Sequence, residues 1–478
     1  MTNQEYIKLH RKDDVYKLAL GKAPEGVDLQ YALQQIAAYQ TIEKKIPSWA
    51  ECDELVFPPK LSLEQSSSEV TALLKAALIK EFMNGKEFDH IDLTGGMGID
   101  CYFIAQNSTH SHYVEQNEEL CRIAQHNFTH LNSNITVYNM TAEEFLNQIT
   151  DNSRQSTEYK SQSTDDRLQA SSTQNCHPEL EEQGQSPEGV CSLLTPHSSL
   201  LIYLDPARRG NHGEKLVSIS NCQPDVVALL PQMFELTDKV VVKLSPMLDI
   251  TRAINELAHI EHLYVVSVGN ECKELLLFIN REYDGETQIH AINLKQSSEY
   301  RLHSTDDRLQ VSSTQNCHPE LGEQGQSPEG VCSFLTPNCF FSGTLSHEAG
   351  ISLSYAREMG RYLYEPFAAH LKSGLYKSMA ERYGVEKLHQ HSHLYTSVEL
   401  VDDFPGRKFE VELVVHFDKK SAKSLFKSLK QANLTTRNFP LTVNELRSQF
   451  KIKEGGATYA FATTLHDEEK VLVMCKKV

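Results

Sequence analysis

The sequence predicts an α/β fold built on a largely parallel sheet, with a helical region before it and an α+β tail behind it. Three observations predict this. Short apolar, β-branched runs alternate with helix-like stretches between about residues 86 and 295, the pattern of β-α units. The first strand runs directly into Asp92-Leu-Thr-Gly-Gly-Met-Gly-Ile-Asp100. A strand, a glycine turn and a helix start in succession leave backbone N–H groups facing a ligand, and a Cβ in such a turn would hold that ligand off. The last two strand-like runs lie close together, which leaves room for a hairpin and not for a crossover helix.

Residues 1–85 read as a helical region. Tyr31–Tyr39 carries apolar residues at helical spacing, Pro58-Pro59 breaks the pattern, and Val70–Phe82 resumes it. Ser66 and Glu69 have the spacing of a capping box for that last helix. The expected strands are Asp89–Asp92, His112–Glu115, Ile135–Tyr138, Leu200–Asp205, Lys239–Leu244, Leu263–Val268 and Leu275–Ile279. Residues 86–295 form the sheet domain on this reading, with an insertion at about 151–198. Ser163–Pro196 and Ser304–Pro337 are one sequence written twice, differing only at Ala170/Val311, Glu181/Gly322 and Leu193/Phe334. Each copy is rich in Ser, Gln, Glu and Pro and too poor in apolar residues to build a core, so each is expected to be a disordered insertion. The second copy occupies a linker, 299–338, ahead of an α+β connecting domain, 339–394, and a terminal domain, 395–478.

The chain has 478 residues, 40% of them hydrophobic and 23% charged, within the range of water-soluble globular proteins. It contains no apolar run of membrane-spanning length and no secretory leader pattern. The 11 cysteines form no C-x-x-C pair, so neither a zinc site nor a disulfide framework is indicated and the cytoplasm is the expected compartment. Net charge is −18, yet residues 339–478 hold 20 Lys and Arg against 16 Asp and Glu, and residues 407–453 hold 11 against 4. A basic stretch on an acidic body is the footprint of a surface that docks phosphates, with Arg407, Lys408, Lys451 and Lys453 among its members. A pair of solvated helix faces is the alternative.

The loop Asp92–Gly98, the acid Glu115 at the end of the next strand and the turn Asp205-Pro206-Ala207-Arg208 together resemble class I S-adenosylmethionine-dependent methyltransferases over roughly residues 60–280. Phe404–Phe409 and Asn438–Leu446 resemble the THUMP-like tail of a methyltransferase family of Bacteroidetes-type bacteria. The resemblance implies a Rossmann-like seven-stranded sheet with an α+β, ferredoxin-like and THUMP-like tail. It also implies S-adenosyl-L-methionine as cofactor, held by Asp92, Thr94, Gly95, Gly96, Gly98 and Asp100, with Glu115 on the ribose and Glu143 near the adenine. Helices ahead of the first strand cover the methionine end in such enzymes, which brings in Ser67 and Ser68; a plain helix cap explains them too.

Asp205, Pro206 and Arg208 match the catalytic Asp-Pro-Pro turn of nucleic-acid methyltransferases, with Ala207 in place of the second Pro. The resemblance therefore implies methylation of a base nitrogen, in guanine or a similar base, within a structured RNA such as tRNA or rRNA. Methyl transfer is chiefly a positioning task, so Asp205 would align the acceptor and Arg208 would stack on it or hold a phosphate. The Arg in this turn also resembles RNA uridine-C5 methyltransferases, a resemblance that implies a nucleophilic cysteine after the next strand; the corresponding segment, Leu244-Ser245-Pro246, has none, which argues against a covalent mechanism. A cofactor-binding RNA-binding protein that does not catalyse, a transferase acting on DNA or protein, and a nicotinamide oxidoreductase remain as alternatives. No metal is expected: His389, His391 and His393 would share a face only in a strand, and a surface segment is the simpler reading. Lys243 reads either as a phosphate contact or as structural.

Overall fold

The computed structural model describes residues 1–151, 199–208, 219, 222–294, 340–429 and 431–478. Both repeat copies with their cysteines, Lys430 and the Arg208 side chain lie outside what is described. In the first part of the chain the strands are β1 Phe88–Asp92, β2 Ser111–Glu115, β3 Ile135–Asn139, β4 Ser199–Leu204, β5 Ala207–Arg208, β6 Cys222–Gln223, β7 Lys239–Leu244, β8 Ile260–Val268, β9 Glu271–Asn280, β10 Gln288–Leu294 and β11 Phe340–Gly343. The tail holds β12 Tyr362–Pro366, β13 Glu386–Lys387, β14 Tyr395–Ser397, β15 Gly406–His416, β16 Asn433–Arg437, β17 Thr458–Thr464 and β18 Lys470–Lys477.

The large sheet has the order β11-β10-β8-β9-β7-β4-β1-β2-β3. Strands β3, β2, β1, β4 and β7 pair in parallel, and β9 runs antiparallel between β7 and β8. The seven expected strands are thus present, with the reversed strand inside the sheet. Both faces are covered. Ile91, Ile202, Val240, Val242 and Leu277 enter one core. Leu201, Tyr203, Val241, Leu276 and Phe278 pack on the other side against Leu74, Leu78 and Ile79 of the helix Glu69–Phe82. Burial on two faces is why these strands read as continuous apolar runs.

The β8–β9 hairpin is longer than expected because polar residues open β9. Gly269 and Asn270, at φ 58° and 67°, supply the two left-handed positions of a tight hairpin turn. Two strands escaped notice. β10 lies parallel to β8 and β11 closes that edge; buried His290 and Asn293 break the apolar pattern of β10.

The N-terminal helices are fixed to the sheet domain. Ile36, Tyr39 and Trp49 share a core with Met97 of the glycine turn and with Ile99 and Phe103 of the helix that follows it. The expected Ser66–Glu69 capping box does not form. Ser68 is the N-cap, paired with Thr71. Glu69 instead accepts from the N–H and hydroxyl of Ser48, both at 2.9 Å, tying two helices together.

The tail is a seven-stranded sheet of order β13-β14-β12-β15-β18-β17-β16. Residues 388–393 form no strand. His389 and His393 are buried or half-buried and His391 is exposed, so the segment is neither a metal face nor a simple surface stretch. His389 meets Glu468 at 3.1 Å and Asn438 at 2.9 Å, and His393 stacks on Tyr376. Among the described residues no helix is long and apolar enough to cross a membrane.

Candidate functional site

The site lies at the C-terminal ends of β1, β2, β4 and β7, where open α/β sheets bind ligands. Asp92 ends β1 and is buried. Its carboxylate accepts from the Thr94 N–H at 3.0 Å, while the Thr94 hydroxyl accepts from the Asp205 N–H at 2.6 Å. Thr94 therefore joins the loop to the end of β4. Burial pushes the Asp92 carboxyl up to about 8, against the pull of the Thr94 N–H and with help from Asp100 and Asp205.

The three glycines have separate reasons. A Cβ on Gly95 would lie 2.1 Å from the Tyr113 ring, and one on Gly98 would lie 2.6 Å from Phe128. The protein's own packing therefore requires a glycine at those two positions, a reason the sequence did not show. At Gly96 alone a Cβ would have room, its nearest neighbour being the Thr94 carbonyl oxygen at 3.8 Å, and φ is +53°. Its N–H donates to Glu115 at 3.0 Å, and the other Glu115 oxygen accepts from the Asn117 N–H at 2.8 Å. A carboxylate has about four acceptor sites, so Glu115 keeps capacity for ribose hydroxyls. An open glycine beside an acid with spare lone pairs fits the nucleoside part of S-adenosylmethionine. Glu143 is half-buried in the helical segment 142–151. Its neighbour Glu144 is a cap, accepting from Thr141 N–H and hydroxyl at 2.9 Å each.

Asp100, Ser67 and Asp205 come together in an ionic chain that the sequence did not reveal. Glu274 of β9 meets Lys75 of the helix Glu69–Phe82 at 2.9 Å. Lys75 meets Asp100 at 3.2 Å, and Asp100 meets Lys243 of β7 at 3.5 Å. Lys243 then contacts the Asp205 carboxylate. Charges alternate along the whole chain. Ser67 donates to Asp100 at 2.8 Å and accepts from Lys75 and Lys243 at 3.2 and 3.3 Å. The Tyr203 hydroxyl donates to Asp100 at 2.9 Å.

Burial opposes the Asp100 charge, but Lys75, Lys243 and the two hydroxyls hold its carboxyl down at about 2. Burial would lower Lys243, yet Asp205, Asp100 and Glu274 outweigh it and raise its pKa. Burial pushes Glu274 up despite the two lysines. Lys75 is fully buried, whereas the Asp205 side chain keeps 38% of its surface open. The chain thus runs from the interior to the site and ends on an accessible carboxylate. Pro206 is buried behind it. A groove of about 1970 Å³ opens beside this point, between the N-terminal helices and the sheet, lined in part by Lys45, Ser67, Ser68, Lys243 and Lys273. Ser68 reaches the groove, but its hydroxyl is engaged as the helix cap.

The basic residues of the tail separate into two groups. Arg407 is clasped by buried Glu365, which Arg437 also meets at 2.8 Å, so these two arginines hold β12, β15 and β16 together. Lys408 donates to the Asp402 carbonyl at 2.5 Å. Lys451 and Lys453 are exposed. Lys419, Lys423 and Lys427 are exposed along one helix, Lys419–Ser428, at spacing i, i+4, i+8, which sets them on a single face.

Residues 362–405 match the family model of a ferredoxin-like domain, and residues 406–477 that of a THUMP-like domain. The solved structure of a candidate methyltransferase from Porphyromonas gingivalis W83 aligns over 100% of this chain and 97% of that one, with 29% identity and a TM-score of 0.73. The chain has a class I methyltransferase fold with ferredoxin-like and THUMP-like domains at its C-terminus. Two other solved structures align at TM-scores too low to bear on the argument. One is a candidate RNA methyltransferase from Pyrococcus horikoshii, with 10% identity over 48% of this chain and 94% of that one, TM-score 0.26. The other is an O-methyltransferase from Bacillus cereus in complex with SAH, with 11% identity over 57% of this chain and 99% of that one, TM-score 0.27. No curated protein matches the chain. Among the described residues, no group of three or more His, Cys, Asp or Glu side chains is placed to hold a metal ion.

The sequence missed Lys75, Glu274 and Tyr203. A signal for the first was present: a lysine inside Leu73–Ile79, a helical run apolar at all its other positions, is either exposed or paired inside.

Proposed function

We propose that the chain transfers a methyl group from S-adenosylmethionine to a structured RNA such as tRNA or rRNA, directly and without a covalent enzyme intermediate. One observation carries the reading: the open carboxylate of Asp205 stands at the end of β4, joined through Thr94 to the Asp92–Gly98 loop. Gly96 and Glu115 would hold the nucleoside, and the groove beside Ser67 and Lys243 would admit the acceptor. At about 1970 Å³ it exceeds the roughly 300–1,000 Å³ of small-molecule pockets, which favours a segment of polymer. The cofactor supplies an electrophilic methyl group on a sulfonium. The protein's task is to align the acceptor with that methyl and take up its proton.

Burial raises the thiols of Cys101, Cys121, Cys272 and Cys475. None of these is an activated thiolate, which supports direct transfer. The THUMP-like match at 406–477 and the exposed lysine face at 419–427 support RNA as the partner. The sequence resemblance implied a base nitrogen as acceptor; the Asp205 carboxylate by itself can accept from either an N–H or an O–H of the acceptor. Nucleosides from RNA of cells with and without the protein should differ by one methylated species. Identical modification profiles would refute RNA as the substrate.

A further inference from the structure

We propose, on the basis of the RNA methyl-transfer reading above, that the acceptor is a hydroxyl oxygen of the ribose type and that Lys243 is a catalytic residue acting on it. The observation is the contact of the Lys243 ammonium with the Asp205 carboxylate at the edge of the groove. An aspartate alone suffices to align an amine. It accepts an N–H, and its charge offsets the positive charge that develops on the attacking nitrogen. Here that carboxylate already holds an ammonium, anchored from behind by Asp100 at 3.5 Å and Ser67 at 3.3 Å. A fixed cation beside a nitrogen that is becoming positive is repulsive.

For a hydroxyl the sign reverses. Its oxygen must lose a proton, so it needs a base and a cation next to each other. Asp205 and Lys243 are such a pair. In this step the acceptor O–H proton passes to Asp205, and the oxygen bonds the methyl carbon as the carbon–sulfur electron pair returns to sulfur. Asp205 releases the proton to water after the product leaves. Lys243 donates a hydrogen bond to the oxygen while negative charge grows on it, and the rest of the ionic chain holds Lys243 in place. Buried Lys75 then has a role. Sitting between Glu274 and Asp100, it keeps Asp100 charged, and Asp100 orients Lys243. A whole buried ionic network can often be replaced by apolar residues at no cost in stability, so packing alone does not call for two buried lysines.

The test uses the purified full chain, S-adenosylmethionine with a labelled methyl group, and RNA from cells lacking the protein. Products are digested to nucleosides and fragmented by mass spectrometry. The expected result is a methyl on the ribose, with the adjoining phosphodiester resistant to alkali. A methyl on a base atom would overturn the hydroxyl acceptor and leave the RNA reading intact. No methylated RNA from a chain that binds S-adenosylhomocysteine would overturn the RNA reading and this proposal with it. In parallel, Lys243→Met should lower turnover on the order of 10²- to 10³-fold while S-adenosylhomocysteine affinity, by calorimetry, stays within about threefold. A folded Lys243→Met variant with near-normal turnover would overturn the role of Lys243. If thermal unfolding shows that Met disrupts the fold, Lys243→Arg retains the charge but not the position. It should lose about tenfold or more in turnover, and full activity in that variant would likewise count against the proposal.

Discussion

At the scale of single residues, Asp205 and Asp92 are two buried-strand carboxylates that the structure puts to different uses. Asp205 is partly exposed and contacts Lys243, which lines the groove, so Asp205→Ala should reduce turnover on the native RNA on the order of 10²-fold or more and leave cofactor affinity nearly unchanged. Equal losses in binding and turnover would show that Asp205 shapes the cofactor site instead. Asp92 titrates at about 8 in the fold against about 3.9 in the unfolded chain. Between those values the folded chain holds a proton that the unfolded chain has lost. Its contribution is therefore full below about pH 4 and is lost as pH rises toward 8, with a slope of at most about 1.4 kcal/mol per pH unit. Asp92→Asn mimics the protonated acid and should remove that slope. Urea unfolding of both proteins at several pH values checks it, and a wild-type-minus-variant difference that does not change with pH would contradict the assignment. Asp92, Glu115 and Asp205 were legible in the sequence because each ends a strand, next to a turn of distinctive composition. Lys75 and Glu274 were not, because their meaning depends on a contact across 199 residues of chain, which no local pattern records.

At the scale of elements, the seven strands of the methyltransferase sheet could be read from apolar runs because both faces are buried. β10 could not, since His290 and Asn293 are buried within it and make it look like a loop. The basic residues of the tail show the same limit. Composition gathered Arg407, Arg437 and the lysines into one surface, but both arginines are paired with the buried Glu365 and only partly exposed. The helix Lys419–Ser428 keeps its lysines free for phosphate. Replacing Lys419, Lys423 and Lys427 together by Ala should weaken all RNAs alike and reduce the slope of log affinity against log salt by up to about 2–3. Binding measured across a salt series checks this. An unchanged slope would move the docking surface elsewhere, while Arg407→Ala should act mainly through stability.

At the scale of the whole molecule, burial holds His90, His290 and His370 at about 3 and His112 and His393 at about 4. Unfolded histidine titrates near 6.5. These residues therefore contribute stability that is fully present above about pH 6.5 and is lost as pH falls toward 4. Their effect opposes that of Asp92 and outnumbers it. Stability should drop steeply below about pH 6.5, by up to about 1.4 kcal/mol per pH unit for each histidine; unfolding free energies that stay level down to about pH 4.5 would contradict the neutral, buried state of these rings.

The account as a whole rests on the Asp92–Gly98 loop and Glu115 forming a nucleoside cofactor site. Calorimetric titration of the full chain with S-adenosylhomocysteine tests this most directly. One saturable site is expected, lost in a folded Gly96→Val variant because a β-branched side chain cannot take the φ of +53° and fills the open side of the turn. No binding by the wild type, binding of NAD in its place, or unchanged affinity in Gly96→Val would contradict the account.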